Sequence, residues 1–64
     1  MSNNIGKRLR DLRGNKTMEE VANELNITRQ AIYNYENDIR VPKDEIKIKL
    51  SEYYNKSVQE IFFD

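Results

Sequence analysis

An all-α fold of five short helices, a single domain over residues 1–64, is what this sequence predicts, on three observations. Apolar residues recur at helical spacing in segment after segment. Two capping signals of the form Ser/Thr-x-x-Glu, Thr17 with Glu20 and Ser57 with Glu60, stand directly ahead of such runs. Breakers are scarce: Pro42 is the only proline and Gly6 and Gly14 the only glycines, so no linker or low-complexity tract divides the chain.

The elements follow in order. Ile5, Leu9 and Leu12 fall at i, i+4 and i+7, one stripe of a first helix, and Gly14 is placed to end it. Thr17 caps a second helix whose stripe is Met18, Val21, Ala22 and Leu25. Asn26 follows directly, a residue that tolerates the left-handed backbone of a tight turn, and Thr28 is placed to cap a third helix. At about 100° per residue, the stretch NITRQAIYNYEN separates into two faces. Ala31, Ile32 and Tyr35 share a buried side. Arg29, Gln30, Tyr33, Asn34 and Asn37 share a polar side that contains no acid. Pro42 suits the first position of a fourth helix, with Asp44 and Glu45 favoured in its first turn by the helix dipole. Ile46, Leu50 and Tyr53 form its stripe, flanked by Tyr54. Ser57 caps a short fifth helix carrying Val58, Ile61 and Phe62.

Composition narrows the function classes. A chain of 64 residues without cysteine or histidine has neither a disulfide framework nor a Cys/His zinc site to support a small core. Nothing supplies a nucleophile with a base, a metal cluster or a phosphate-cradling loop, so no enzyme, cofactor or small-molecule substrate is expected. No apolar run approaches the roughly 18 residues of a membrane span, and MSNNIGKRLR lacks the apolar stretch of a secretory signal; the expected location is the cytoplasm. The formal net charge is zero but unevenly spread: residues 5–16 carry a net of +4 and residues 17–27 a net of −3. A cancelled total can conceal a basic face.

Two short helices meeting at a tight turn, the second with a polar outward face, follow the helix-turn-helix plan. VANELNITRQAIYNYEN followed by RVP resembles the phage-repressor and Cro-like family, often called the XRE family. The likeness extends to IGKRLRDLR in the first helix and SVQEIFF in the fifth. Ala22, the turn at Asn26, the Arg29-Gln30 pair after Thr28, and Tyr35-Glu36-Asn37 stand together in register. The resemblance implies a compact lambda-repressor-like domain that docks its third helix in the major groove of double-stranded DNA. Arg29, Gln30, Tyr33 and Asn34 match base-reading positions; Asn37 and the following loop, including Arg40, match positions along phosphates. Thr28 at the helix start can donate to phosphate, and Lys43 is placed for it. Residue chemistry agrees: arginine pairs with guanine O6 and N7, and glutamine or asparagine with adenine N6 and N7.

The resemblance also implies an ion pair between an arginine of the first helix and Glu36. Helical angle favours Arg13 over Arg10 as the partner, with Arg8 as the second choice. Lys7, Arg8 and Arg10 are expected to be solvated or weakly steering. Three departures from the family pattern bear on binding. Met18 stands where a glutamine often touches phosphate, and it reads as a core extension. The loop between the first two helices is about two residues shorter than usual. Asp38 replaces the usual glycine after Glu36-Asn37 and brings a negative charge near the expected DNA backbone.

Tyr35 and Tyr53 read as core residues with wet hydroxyls, whereas Tyr54 is compatible with core or interface. Ile48 and Phe63 have no place in a single-domain core. With Tyr54 they are the candidates for a homodimer interface, as suits a repressor on an inverted-repeat operator. The alternative is a protein-interaction module that keeps the fold without binding DNA; zero net charge, Met18 and Asp38 support it.

Overall fold

The computed structural model describes residues 4–63. Its helices are α1 (Ile5–Arg13), α2 (Met18–Leu25), α3 (Arg29–Glu36), α4 (Asp44–Tyr54) and α5 (Gln59–Phe63), the last a π-helical turn. The expected fold class, all-α in five pieces, is thus the one observed. α3 packs against both α1 and α2, α4 meets α2, and α5 returns to α1.

Local chemistry accounts for most boundaries. Thr17 and Glu20 form the reciprocal capping box: Thr17 Oγ1 accepts from Glu20 N at 3.1 Å, and Glu20 Oε1 accepts from Thr17 N at 2.7 Å. Ser57 and Glu60 repeat it at 3.0 and 2.9 Å. The Ser57 backbone N–H, and after it the Ser57 hydroxyl, favour the ionised Glu60 carboxylate and hold it below the usual carboxylate range. The exits are also alike. α2, α3 and α4 each close with a left-handed residue, Asn26, Asp38 and Asn55, at φ of 58–59°. The amide that follows each one donates back to the carbonyl five residues earlier: Ile27 to Ala22, Ile39 to Asn34, Lys56 to Ser51. These are Schellman closures, which satisfy carbonyls that a helix end otherwise leaves open. α1 ends differently, at Gly14 with φ 58° and ψ −125°.

Pro42 does not open α4. It is buried and precedes the extended cap residue Lys43, so the helix starts at Asp44. A proline φ suits extended backbone as well as a first helical turn, and here its ring is taken up in the lead-in.

The core comprises Ile5, Leu9, Val21, Ala22, Leu25, Ile32, Leu50, Ile61 and Phe62, with Met18, Tyr35 and Tyr53 partly buried against it. Tyr54 also packs on this cluster, around a small gap shared with Leu9, Ile32, Tyr35, Glu36 and Leu50. Lying four residues after Leu50, it is carried onto the same helix face and is partly buried against the core. Burial pushes its hydroxyl from 10.0 up to about 12, and the Glu36 charge acts in the same direction.

So small a core depends on polar ties. Arg13 grips Glu36 with two hydrogen bonds, Nε to Oε2 at 2.7 Å and Nη2 to Oε1 at 3.0 Å, and its Nη1 donates to the Lys16 carbonyl at 2.7 Å. The hydrogen bond to Glu36 raises the Arg13 pKa above its ordinary value, against the opposing effect of burial. Arg13 is therefore the partner that helical angle favours. Arg8 and Arg10, expected to be solvated, instead make ties. Arg10 Nη2 donates to the Glu36 carbonyl at 3.1 Å, and Arg8 Nη1 to the Ile61 carbonyl at 3.0 Å. Both carbonyls belong to helix ends, where a cation is favoured. Lys7 makes only an exposed pair with Asp11, which contributes little.

Candidate nucleic-acid interface

The connection between α2 and α3 is set by the Asn26 closure and the Thr28 cap. Ile27 lies between them, packed partly against the core. Thr28 Oγ1 accepts from Ala31 N at 3.0 Å. The hydroxyl proton remains free to donate outward, and the first amides of α3 have no acceptor within the helix. An exposed donor cluster therefore stands at the start of α3.

Along α3 the two faces separate as the periodicity predicts. Ile32 and Glu36 are each 2% exposed, and Ala31 and Tyr35 are half-buried. Arg29 and Gln30 are exposed, Tyr33 is 46% exposed and Asn34 is half-buried. Gln30 Nε2 donates to Asn34 Oδ1 at 3.1 Å, an i,i+4 amide pair that leaves Gln30 Oε1 and the Asn34 amide hydrogens for another partner. The only acid of α3 is Glu36, and it is turned inward to Arg13. The outward face therefore offers donors and acceptors without a carboxylate.

At the far end, Asn37 is exposed, but one of its amide hydrogens is committed to the Tyr33 carbonyl at 2.8 Å, so it first serves to close α3. Residues 38–41 leave the helix through the left-handed Asp38. The amides of Ile39 and Arg40 both donate to the Asn34 carbonyl, at 2.9 and 3.3 Å. The Arg40 and Lys43 side chains are exposed beyond this anchored backbone. Thr28, Arg29, Gln30, Tyr33, Asn37 and Arg40 thus follow one another along a single helix and its exit. Of the dimer candidates, Ile48 is 52% and Phe63 60% exposed, and Ile39 and Val41 are exposed as well.

Sequence reasoning missed the contact between α1 and the exit of α3. Asp38 Oδ1 accepts from Gly6 N at 3.0 Å across 32 residues. Gly6 is what permits the approach, because a Cβ there would lie 2.3 Å from the Glu36 carbonyl oxygen. One signal was available: glycine one residue inside a helix costs roughly 0.5–1 kcal/mol relative to alanine, so its presence flags a close backbone neighbour.

Two short helices joined through a left-handed turn, the second presenting an acid-free polar face from a fixed frame, define a helix-turn-helix module. The profile described as Helix-turn-helix matches residues 7–61, and the chain belongs to that family, of the XRE type. It is similar to the HTH-type transcriptional regulator ImmR of Bacillus subtilis (strain 168), with 42% identity over 55 residues. The match covers 83% of this chain and 43% of that protein, so the chain spans less than half the length of the curated relative it matches. Among the described residues, no helix is long and apolar enough to cross a membrane, and no group of His, Cys, Asp and Glu is placed to hold a metal ion.

Proposed function

We propose that the chain is a sequence-specific double-stranded DNA-binding module of a transcriptional regulator, which inserts α3 into the major groove. The observation that carries this reading is the inward turn of Glu36. It removes the one carboxylate of α3 from the surface and leaves Arg29, Gln30, Tyr33 and Asn34 as the outward chemistry. In this reading Arg29 and the Gln30–Asn34 amide pair read base edges, and Tyr33 packs on a thymine methyl or bonds a phosphate. Thr28, Asn37, Arg40 and Lys43 hold the backbone and set register. Similarity to a protein named as a transcriptional regulator supports the same class.

The reading extends to a homodimer on an inverted repeat, with half-sites one helical turn, about 34 Å, apart. Ile48 and Phe63 are the exposed apolar side chains available for the contact, while Tyr54 is partly buried against the core. Occupying a promoter would then make the protein a repressor without further chemistry.

Selection from random duplexes tests this. One sequence with two-fold symmetry should be enriched, and its affinity should fall steeply as salt rises, because phosphate contacts release counterions. Enrichment of nothing would overturn the reading. Binding to a protein partner with little salt dependence would favour the interaction-module alternative, for which the exposed Ile39, Val41, Ile48 and Phe63 provide apolar surface.

A further inference from the structure

We propose that Asp38 is a positioning residue for DNA binding: its carboxylate, held on the Gly6 amide of α1, fixes the loop of residues 38–41 so that Arg40 meets a phosphate, and keeps its own negative charge off the interface. The inference rests on the DNA-binding reading and deepens it.

Asp38 and Gly6 are complementary. Asp38 holds a left-handed position, φ 59°, where glycine is the residue of least strain. Aspartate tolerates that conformation when its carboxylate finds a backbone partner, and here the partner is Gly6 N at 3.0 Å. Across the contact, Gly6 lacks the Cβ that would lie 2.3 Å from the Glu36 carbonyl oxygen and 2.9 Å from Asp38 Oδ2. A side chain at position 38 and none at position 6 therefore make one joint.

The joint acts on the loop from one side, and α3 acts on it from the other. Ile39 N and Arg40 N are anchored on the Asn34 carbonyl, at the end of the outward face of α3. Between these anchors the Arg40 backbone has a defined place relative to Gln30 and Asn34, while its side chain stays exposed. The first-turn amides of α1, which have no acceptor within their own helix, favour a carboxylate at this point. The charge that sequence reading set against the DNA backbone is thus directed to a helix start.

Two substitutions separate the acceptor from the charge, and both residues tolerate φ 59°. Asp38→Asn removes the charge but keeps an oxygen for Gly6 N; Asp38→Gly removes both. Affinity for the selected duplex would be measured across salt for the parent chain, each variant, Arg40→Ala, and Asp38→Gly combined with Arg40→Ala. Asp38→Asn should bind at least as tightly as the parent. Asp38→Gly should bind about 5- to 10-fold more weakly, the cost expected for one lost backbone contact, and its salt slope should be smaller by about one. Adding Arg40→Ala to Asp38→Gly should cost much less than Arg40→Ala alone. Amide exchange should be faster at Gly6 in Asp38→Gly and unchanged at Ile32, showing an intact fold with a released joint.

Equal or tighter binding by Asp38→Gly than by Asp38→Asn overturns the proposal, because charge alone would then account for position 38. Additive losses with Arg40→Ala overturn it as well. If the parent chain enriches no duplex, the DNA-binding reading falls and this proposal with it; a parent that binds while Asp38→Gly equals Asp38→Asn removes the positioning role alone.

Discussion

The two faces of α3 are built from the same eight residues under opposite constraints. Inward, Ile32 and Glu36 are each 2% exposed, one packed in the apolar core and the other held by two hydrogen bonds from Arg13. Outward, Arg29, Gln30 and Tyr33 have no side-chain tie to another helix; the hydrogen bond of Gln30 stays within α3, to Asn34. Folding accounts for the identities on the first face and is indifferent to those on the second. The outward residues carry chemistry that the ties between helices do not use, and the proposed reading assigns that chemistry to DNA.

Substitutions should reproduce that contrast. The largest effect is expected at Glu36→Ala, which leaves the Arg13 guanidinium partly buried without its carboxylate. A broken buried pair costs 3–5 kcal/mol, and about 3 kcal/mol is expected here because Arg13 remains 17% exposed. Denaturant unfolding measures it. Gly6→Ala comes next: its methyl would meet the Glu36 carbonyl at 2.3 Å and force α1 and α3 apart. Overpacking of this kind costs about 1–3 kcal/mol, seen as a lower unfolding midpoint and a perturbed Asp38–Gly6 contact.

A smaller effect belongs to Tyr54. Its hydroxyl titrates at about 12 in the fold, against 10.0 when unburied. Between those values the unfolded chain ionises and the folded one does not. The stability Tyr54 contributes is therefore complete below pH 10 and lost as pH rises towards 12. Unfolding measured over that window should be less pH-dependent in Tyr54→Phe than in the parent. The smallest effect on stability is expected at Gln30→Ala, within about 0.5 kcal/mol, as for exposed sites generally.

Much of the fold was legible because helices announce themselves locally. Stripe spacing placed Leu9, Val21, Leu25, Ile32 and Leu50 in the core, and capping chemistry placed Thr17, Asn26, Thr28 and Ser57 at helix ends. The two faces of α3 emerged from pitch alone. What pitch could not supply were contacts set by how helix ends converge. Arg8 and Arg10 look like surface cations on α1 until the carbonyls of Ile61 and Glu36 are brought beside them. Asp38 looks like a loop acid without a structural tie until Gly6 appears across from it. Tyr54 was open for a related reason: helical angle says which side a residue takes, and tertiary packing decides whether that side is covered. Pro42 was placed inside α4 but lies before it, because a proline φ suits extended backbone as well as a first helical turn.

The central claim is that the outward face of α3 reads bases while the loop beyond it holds the backbone. The most direct test is affinity for every single base-pair variant of the selected duplex, compared among the parent chain, Gln30→Ala and Arg40→Ala. Gln30→Ala should lose about 1–3 kcal/mol of preference at one position of each half-site and keep the rest, whereas Arg40→Ala should weaken all duplexes alike. A uniform loss with Gln30→Ala, or unchanged preferences in both variants, would contradict the account.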